Sequence, residues 1–152
     1  TIPQRGCGMG SIRTEALQAT MSMFPVASFY VWLEPEKPHI TSYIRLLTEL
    51  MRDKNAAMGL FNRIRMDSYP EEQACYYLFC RAVASKMIGF DLDYGFGPMI
   101  LTKEAMPYFL EYKGEYGDRW NSILIPRLRI IKSGTPIAIT FSVVFFFVFR
   151  YY

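Results

Sequence analysis

The C-terminal end of this chain carries an apolar run that restricts how the protein can fold. No charged residue occurs from Ser133 to Phe149, and five of the fifteen residues in 135–149 are phenylalanine. An apolar surface of this size promotes aggregation when it is left in water. The run therefore belongs in a protein core or a membrane, or it is aberrant sequence that replaces a normal end.

Length and composition favour different options among these three. As a helix, residues 135–149 would span about 22 Å, less than the roughly 30 Å hydrocarbon core of a bilayer. The many Val, Ile, Phe and Thr residues favour a strand. However, basic residues precede the run and Arg150-Tyr151-Tyr152 follows it, as is typical of membrane segments. We expect residues 133–152 to contribute a core strand, with a membrane anchor or aberrant sequence as the alternatives.

The overall composition indicates one ordinary globular domain. The chain has 152 residues, of which 51% are hydrophobic and 20% are charged, which excludes intrinsic disorder. A formal net charge of +3 is too small and too dispersed for a dedicated nucleic-acid binder. We therefore expect no nucleic-acid partner.

The cysteines and the single histidine argue against disulfide and metal frameworks. Cys7, Cys75 and Cys80 are an odd set in a chain long enough to fold without crosslinks, which favours an intracellular compartment. We expect them to be buried as small apolar side chains. His39 is the only histidine, so the ligands of a structural zinc site are missing and no metal is expected.

Three segments are expected along the chain. Residues 1–22 are Gly-rich and weakly patterned, which predicts a flexible lead-in. Residues 23–132 have the pattern of a single α+β domain, and residues 133–152 are the apolar segment. Because the sequence starts at Thr1, we expect a processed chain or a piece of a longer one.

Local patterns predict a helical middle followed by antiparallel strands. The helices are expected at 41–53, 56–66 and 71–88. The third has a capping box at Ser68–Glu71, a buried stripe of Cys75, Phe79, Ala82, Val83 and Met87, and a stop at Gly89. Extended segments are expected at 23–33, 99–101, 106–112, 120–130 and 137–149. The predicted fold class is α+β.

A short aromatic and glycine motif follows the third predicted helix. Residues Phe90–Pro98 read F-D-L-D-Y-G-F-G-P. In isolation, Asp91 and Asp93 fit the solvent side of an edge strand, and Gly95 and Gly97 fit a turn. Two carboxylates two residues apart are also compatible with a metal site or an acid/base pair, for which no histidine or third carboxylate lies nearby.

The motif Asp93-Tyr94-Gly95-Phe96-Gly97 resembles the D-F-G-W-G motif of CoA-dependent acyltransferases of the BAHD and trichothecene O-acetyltransferase type. The segment Ile123–Arg127 resembles the aliphatic-Pro-basic segment that follows in that family. The resemblance covers at most residues 41–140 and implies part of a chloramphenicol-acetyltransferase-like domain. It also implies a structural motif, in which a basic partner holds the Asp and the glycines permit the turn.

The catalytic H-x-x-x-D of that family is missing, because Ile40, Thr41, Ser42 and Tyr43 follow His39. In the family this histidine is the general base, so we expect no catalytic residue in this chain and no activity of the chain alone. The resemblance implies acyl-CoA as co-substrate, a small hydroxyl or amine acceptor, and no tightly bound cofactor. The alternative is a non-catalytic accessory subunit of a membrane complex, contacting the membrane or other subunits through 135–152.

Overall fold

The computed structural model describes residues 8–35, 37–67 and 69–142, which form a mixed helix and sheet structure. The predicted α+β class is confirmed. The helices are α1 Met9–Met23, α2 Ile44–Asp53, α3 Glu71–Ile88, α4 Met106–Leu110 and α5 Asn121–Lys132, and a 3₁₀ helix spans Pro38–Tyr43. The strands are β1 Tyr30–Trp32, β2 Met58–Arg63, β3 Met99–Leu101 and β4 Ile137–Ser142.

The four strands form one sheet in the order β1-β3-β2-β4. β3 pairs antiparallel with β1 and with β2, so that Leu101 lies opposite Tyr30 on one side and Met58 on the other. β4 runs parallel to β2 along its whole length, from Met58 opposite Ile137 to Arg63 opposite Ser142. The expectation of a purely antiparallel C-terminal sheet is therefore wrong for this last pair.

Helices cover both faces of the sheet. On one face, α1, α4 and α5 pack their apolar side chains against Met58, Leu60, Met99 and Leu101. On the other face, α2 and the 3₁₀ helix pack Ile40, Leu47 and Met51 against Phe61, Ile100 and Ala138. The two central strands are thus buried on both sides, and the loop at residues 91–98, called the motif loop below, lies directly before β3.

The prediction of a helix at 56–66 is wrong, since β2 occupies Met58–Arg63. All six residues of β2 are buried, because the sheet is covered on both faces. A strand in this position is apolar on both sides and loses the alternation that marks a half-exposed strand. The spacing of Leu60, Phe61 and Ile64 therefore predicts a helix, with no alternation in the sequence to oppose it.

The predicted strands at 106–112 and 120–130 are also wrong, because these segments contain α4 and α5. In α5 the buried residues Ile123, Arg127 and Ile130 lie four and three positions apart, the spacing of one helix face. The β-branched residues of 120–130 predict a strand, although the spacing of the buried residues is that of a helix. Pro126 lies inside α5, where a proline removes one backbone donor.

The predicted helix at 71–88 is confirmed as α3. It begins at Glu71 and ends at Gly89, whose φ of 85° places it in the left-handed region that favours glycine. Ser68 of the predicted capping box lies outside the described residues. The predicted buried stripe is wrong, because none of the residues of α3 is buried.

Residues 9–23 of the chain form the helix α1, which packs on α4 and α5 through the buried Leu17. Most of the predicted lead-in is therefore a packed helix. Arg13 ties α1 to the start of α5, donating to the Arg119 carbonyl at 2.9 Å and to Ser122 Oγ at 3.0 Å. Of the extended segment predicted at 23–33, only Tyr30–Trp32 is a strand.

The first part of the apolar C-terminal segment forms a strand of the sheet. Residues Ile137–Ser142 form β4, with Ala138, Thr140 and Ser142 buried. This part of the run is the predicted core strand, and residues 143–152 lie outside the described part of the chain. Among the described helices, none has both the length and the apolar character needed to cross a bilayer.

Candidate functional site: the loop around Asp93

The loop at residues 91–98 joins the end of α3 to β3 and contains all five motif residues. Its turn is closed by two backbone hydrogen bonds, from the Tyr94 amide to the Leu92 carbonyl at 2.9 Å and from the Phe96 amide to the Asp93 carbonyl at 3.1 Å. Asp93 and Phe96 are buried. The interpretation of Asp93 as a solvent-side residue of an edge strand is therefore wrong.

Asp93 forms a buried ion pair with Arg63 at the end of β2. Arg63 Nε donates to Asp93 Oδ2 at 2.5 Å and Arg63 Nη2 donates to Asp93 Oδ1 at 2.7 Å. Both side chains are 1% exposed. Burial acts to lower the pKa of Arg63, but the hydrogen bond and negative charge of Asp93, together with Tyr69, outweigh it and raise the pKa, so the guanidinium stays charged.

Three aromatic rings surround the Arg63 guanidinium. Its central carbon lies 4.3 Å from the ring centroid of Tyr77, 4.9 Å from that of Phe96 and 5.2 Å from that of Tyr69. Rings at these distances stabilise a cation that has lost its water. Arg63 thus connects β2, α3 and the motif loop at one point.

Asn62 fixes the backbone of the loop beside this ion pair. Its Oδ1 accepts a hydrogen bond from the Asp93 amide at 2.8 Å, and its Nδ2 donates to the Asp91 carbonyl at 3.1 Å. Asp91 itself points away from Asp93 and pairs with Arg81 of α3. The two carboxylates therefore have separate basic partners, and the acid/base pair considered from their spacing is not formed.

A second buried arginine holds the other half of the loop. Arg127 of α5 is 1% exposed and donates to the carbonyls of Tyr94 at 3.3 Å, of Phe96 at 2.6 Å and of Gly97. Burial lowers the pKa of Arg127 to about 10, against the opposing effects of Tyr94 and Asp93. Its role in this geometry is to satisfy loop carbonyls that would otherwise be buried without a donor.

Gly97 leaves room for an ion pair that packs against the loop. The Glu34 carboxylate pairs with Lys37, and a Cβ on Gly97 would overlap Glu34 Oε1. Lys37 Nζ also lies 5.4 Å from the Phe96 ring centroid. Burial, followed by the charge of Arg63, lowers the pKa of Lys37 to about 8.

His39 has no arrangement that would make it a catalytic base. Among the described residues, neither of its buried ring nitrogens has a hydrogen-bond partner, and burial lowers the pKa of the ring. A general base is normally oriented by a second polar group. Within the described residues, no group of three or more His, Cys, Asp or Glu side chains is placed to hold a metal ion.

The cysteines do not meet the expectation of burial. Cys75 is exposed and Cys80 is half-buried, both with free thiols, whereas Cys7 lies outside the described residues. Cys80 lines an apolar groove of about 380 Å³ between α3 and α5, together with Tyr77, Val83, Tyr94 and Trp120. The back of the motif loop, at Tyr94 and Gly95, closes one end of this groove.

Sequence reasoning identified the five motif residues but missed three of the side chains that hold them. Arg63, Asn62 and Lys37 were not singled out, and Arg127 was noted only through the family resemblance. The available signal was the polar pair Asn62-Arg63 directly after the apolar run 56–61, which is unusual for a surface helix.

Neither a protein-family model nor a curated protein matches this chain.

Proposed function

We propose that this chain is an acyltransferase-like protein, related to enzymes that move an acyl group from acyl-CoA to a hydroxyl or amine. In this proposal the loop Asp93–Gly97 shapes the domain and takes no part in chemistry. The observation that carries the proposal is the ion pair between Asp93 and Arg63. The resemblance to the D-F-G-W-G motif implies such a basic partner for the aspartate.

Two further features support the structural role of the loop. Arg127 belongs to the segment Ile123–Arg127 that carries the second part of the resemblance, and it donates to three carbonyls of the loop. Gly97 is required because the Glu34 carboxylate occupies the place of a side chain. Asp93, Phe96 and Gly97 are therefore accounted for by contacts within the protein.

The proposal includes that the chain does not catalyse acyl transfer by itself. The family's base is a histidine in H-x-x-x-D, and here Tyr43 stands at the place of the aspartate. His39 also lacks an orienting polar partner within the part of the chain that the structure describes, which supports the same conclusion. Acyl-CoA then acts as a ligand of this chain, and the small hydroxyl or amine acceptor of the related enzymes is a second candidate ligand.

The test combines a binding assay with an activity assay. We expect saturable binding of acetyl-CoA or a longer acyl-CoA in calorimetric titrations, with weaker binding of CoA lacking the acyl group. No product should form when the chain is incubated with acyl-CoA and a panel of alcohols and amines. Absence of acyl-CoA binding would refute the relationship to these enzymes, and turnover that His39→Ala abolishes would refute the inactive role.

A second candidate function is a non-catalytic accessory subunit of a membrane complex. The observation that favours it is the large apolar surface of α3, where Tyr76 is 64%, Phe79 is 68% and Met87 is 79% exposed. Such patches commonly mark sites of protein or membrane contact. Because β4 takes residues 137–142 into the sheet, a C-terminal anchor in this proposal would rest on residues 143–152.

Flotation with phosphatidylcholine vesicles tests this second candidate. A membrane subunit should float with the vesicles, and Phe145→Asp/Phe147→Asp should abolish flotation while the far-ultraviolet circular dichroism stays unchanged. A chain that remains at the bottom of the gradient at every lipid concentration would refute the anchor.

A further inference from the structure

One face of α3 carries an apolar seam that lines the groove between α3 and α5 and that the described residues leave partly exposed. Tyr76, Cys80, Val83 and Met87 follow one another at spacings of four, three and four residues, which is the spacing of the a and d positions of a heptad. We call these four residues the α3 seam. Tyr76 and Met87 are strongly exposed, at 64% and 79%, Val83 is 42% exposed, and Cys80 is half-buried.

A line of residues seven positions apart flanks the seam on its outer side. Glu72, Phe79 and Lys86 occupy equivalent positions of successive heptads, so they project from the same flank of α3. All three are exposed, and Phe79 lies midway between the acidic and the basic residue. The flank is therefore acidic at one end of the helix, apolar in the middle and basic at the other end.

This charge pattern is complementary to itself only when two copies run in opposite directions. A two-fold axis near Phe79 places each Glu72 beside Lys86 of the second copy, twice in one dimer. Parallel pairing would keep Glu72 and Lys86 at opposite ends of the dimer, so neither would meet an opposite charge. Antiparallel pairing also opposes the two helix dipoles, and each α3 has acidic residues in its first turn and Lys86 in its last.

We propose that two copies of this chain form an antiparallel dimer through the α3 seam. In the dimer, the seams of the two helices cover each other and the two Phe79 rings meet at the axis. Each Tyr76 then packs near Cys80 of the other copy. A second copy of the chain accounts both for the exposed apolar face of α3 and for the placement of its charges. An unrelated apolar ligand would not explain the charges.

Sedimentation of the full chain over a range of concentrations tests the association. We expect a reversible dimer at about twice the 17.7 kDa mass of the chain. Phe79→Glu should give a monomer at all concentrations, because it places two carboxylates at the axis. A wild-type chain that stays monomeric, or a dimer that persists with Phe79→Glu, would overturn the proposal.

Charge exchange tests the antiparallel arrangement. Glu72→Lys and Lys86→Glu should each weaken association about tenfold, since each replaces two attractive contacts by two repulsive ones. The variant with both changes should regain the wild-type affinity, and a mixture of the two single variants should form a heterodimer. If the double variant associates no better than the single ones, the antiparallel pairing is wrong. Circular dichroism of each variant confirms that α3 is still folded.

Cysteine crosslinking locates the axis independently. In the background Cys7→Ser/Cys75→Ser, a short bismaleimide should join Cys80 of the two copies, because Cys80 is next to the axis. The matched control keeps Cys75 as the only cysteine, which lies on another flank of the helix and should not crosslink. Equal crosslinking of the two proteins would contradict the proposed interface.

Discussion

The guanidinium of Arg63 and the carboxylate of Asp93 meet in two hydrogen bonds of 2.5 and 2.7 Å inside a closed aromatic environment. Thirty residues separate them in the chain, and their pairing fastens the motif loop to the central strand β2. A buried pair of this kind matters most when one partner is removed, because the other charge is then left in the protein interior without compensation.

We therefore expect Asp93→Ala to destabilise the protein by about 3–5 kcal/mol, measured by urea unfolding. Arg63→Met should have a similar effect for the same reason. The double variant should be less destabilised than the sum of the two, since it leaves no unpaired charge. Asp91→Ala is the matched control, because Asp91 lies 56% exposed on the surface and should cost about 1 kcal/mol or less. Equal effects of the two aspartate substitutions would contradict this account.

The pair of Arg63 and Asp93 shows why one part of the site could be predicted from the sequence and the other could not. The motif Asp93–Gly97 is contiguous, so a local pattern was enough to single it out. Arg63 and Arg127 reach it from β2 and α5, and only the fold brings them together. Local signals likewise predicted α3, where two acidic residues begin the helix and Gly89 ends it. They failed for β2, where helices on both faces of the sheet remove the alternation of apolar and polar residues.

Arg127 offers a second test of how the loop is held. Arg127→Met keeps much of the apolar volume but leaves the carbonyls of Tyr94, Phe96 and Gly97 without their buried donor. We expect a loss of about 2–4 kcal/mol in the free energy of unfolding. Limited proteolysis should show earlier cleavage within 91–98. Arg129→Met on the exposed side of α5 is the control and should leave both readouts nearly unchanged. Unaltered protease resistance of Arg127→Met would argue against its role.

Gly97 tests the close approach of Glu34. The added methyl group of Gly97→Ala overlaps the Glu34 carboxylate, so the Glu34–Lys37 pair must move. We expect a destabilisation of about 1–3 kcal/mol in thermal or urea unfolding. Glu34→Ala should relieve the overlap, so that the double variant is more stable than additivity predicts. Strictly additive effects would mean that the two residues do not interfere.

Lys37 gives the stability a dependence on alkaline pH. Its pKa falls from the ordinary 10.5 to about 8 on folding, so between these values the unfolded chain binds a proton that the folded chain lacks. The stability contributed by this group therefore rises as the pH increases from 8 to 10.5, by at most about 3 kcal/mol. Below pH 8 both states are protonated and the contribution is constant. Urea unfolding of the wild type and of Lys37→Met from pH 7 to 10 should show this rise only in the wild type. Parallel curves would refute it.

The parallel pairing of β4 with β2 places the start of the apolar C-terminal segment in the sheet. Ala138 is fully buried in the cluster that contains Ile100 and the apolar residues of α2, whereas Phe141, three residues further along the same strand, is 53% exposed. Ala138→Asp places a carboxylate in the core without a partner and should prevent folding or cost more than about 3 kcal/mol. Phe141→Asp should change the stability by about 1 kcal/mol or less, because that side of the strand meets solvent. Both are measured by circular dichroism and urea unfolding.

Removal of residues 135–152 should act as Ala138→Asp does, since it deletes the whole of β4. A truncated chain that keeps the wild-type spectrum and unfolding midpoint would show that the sheet does not depend on this strand.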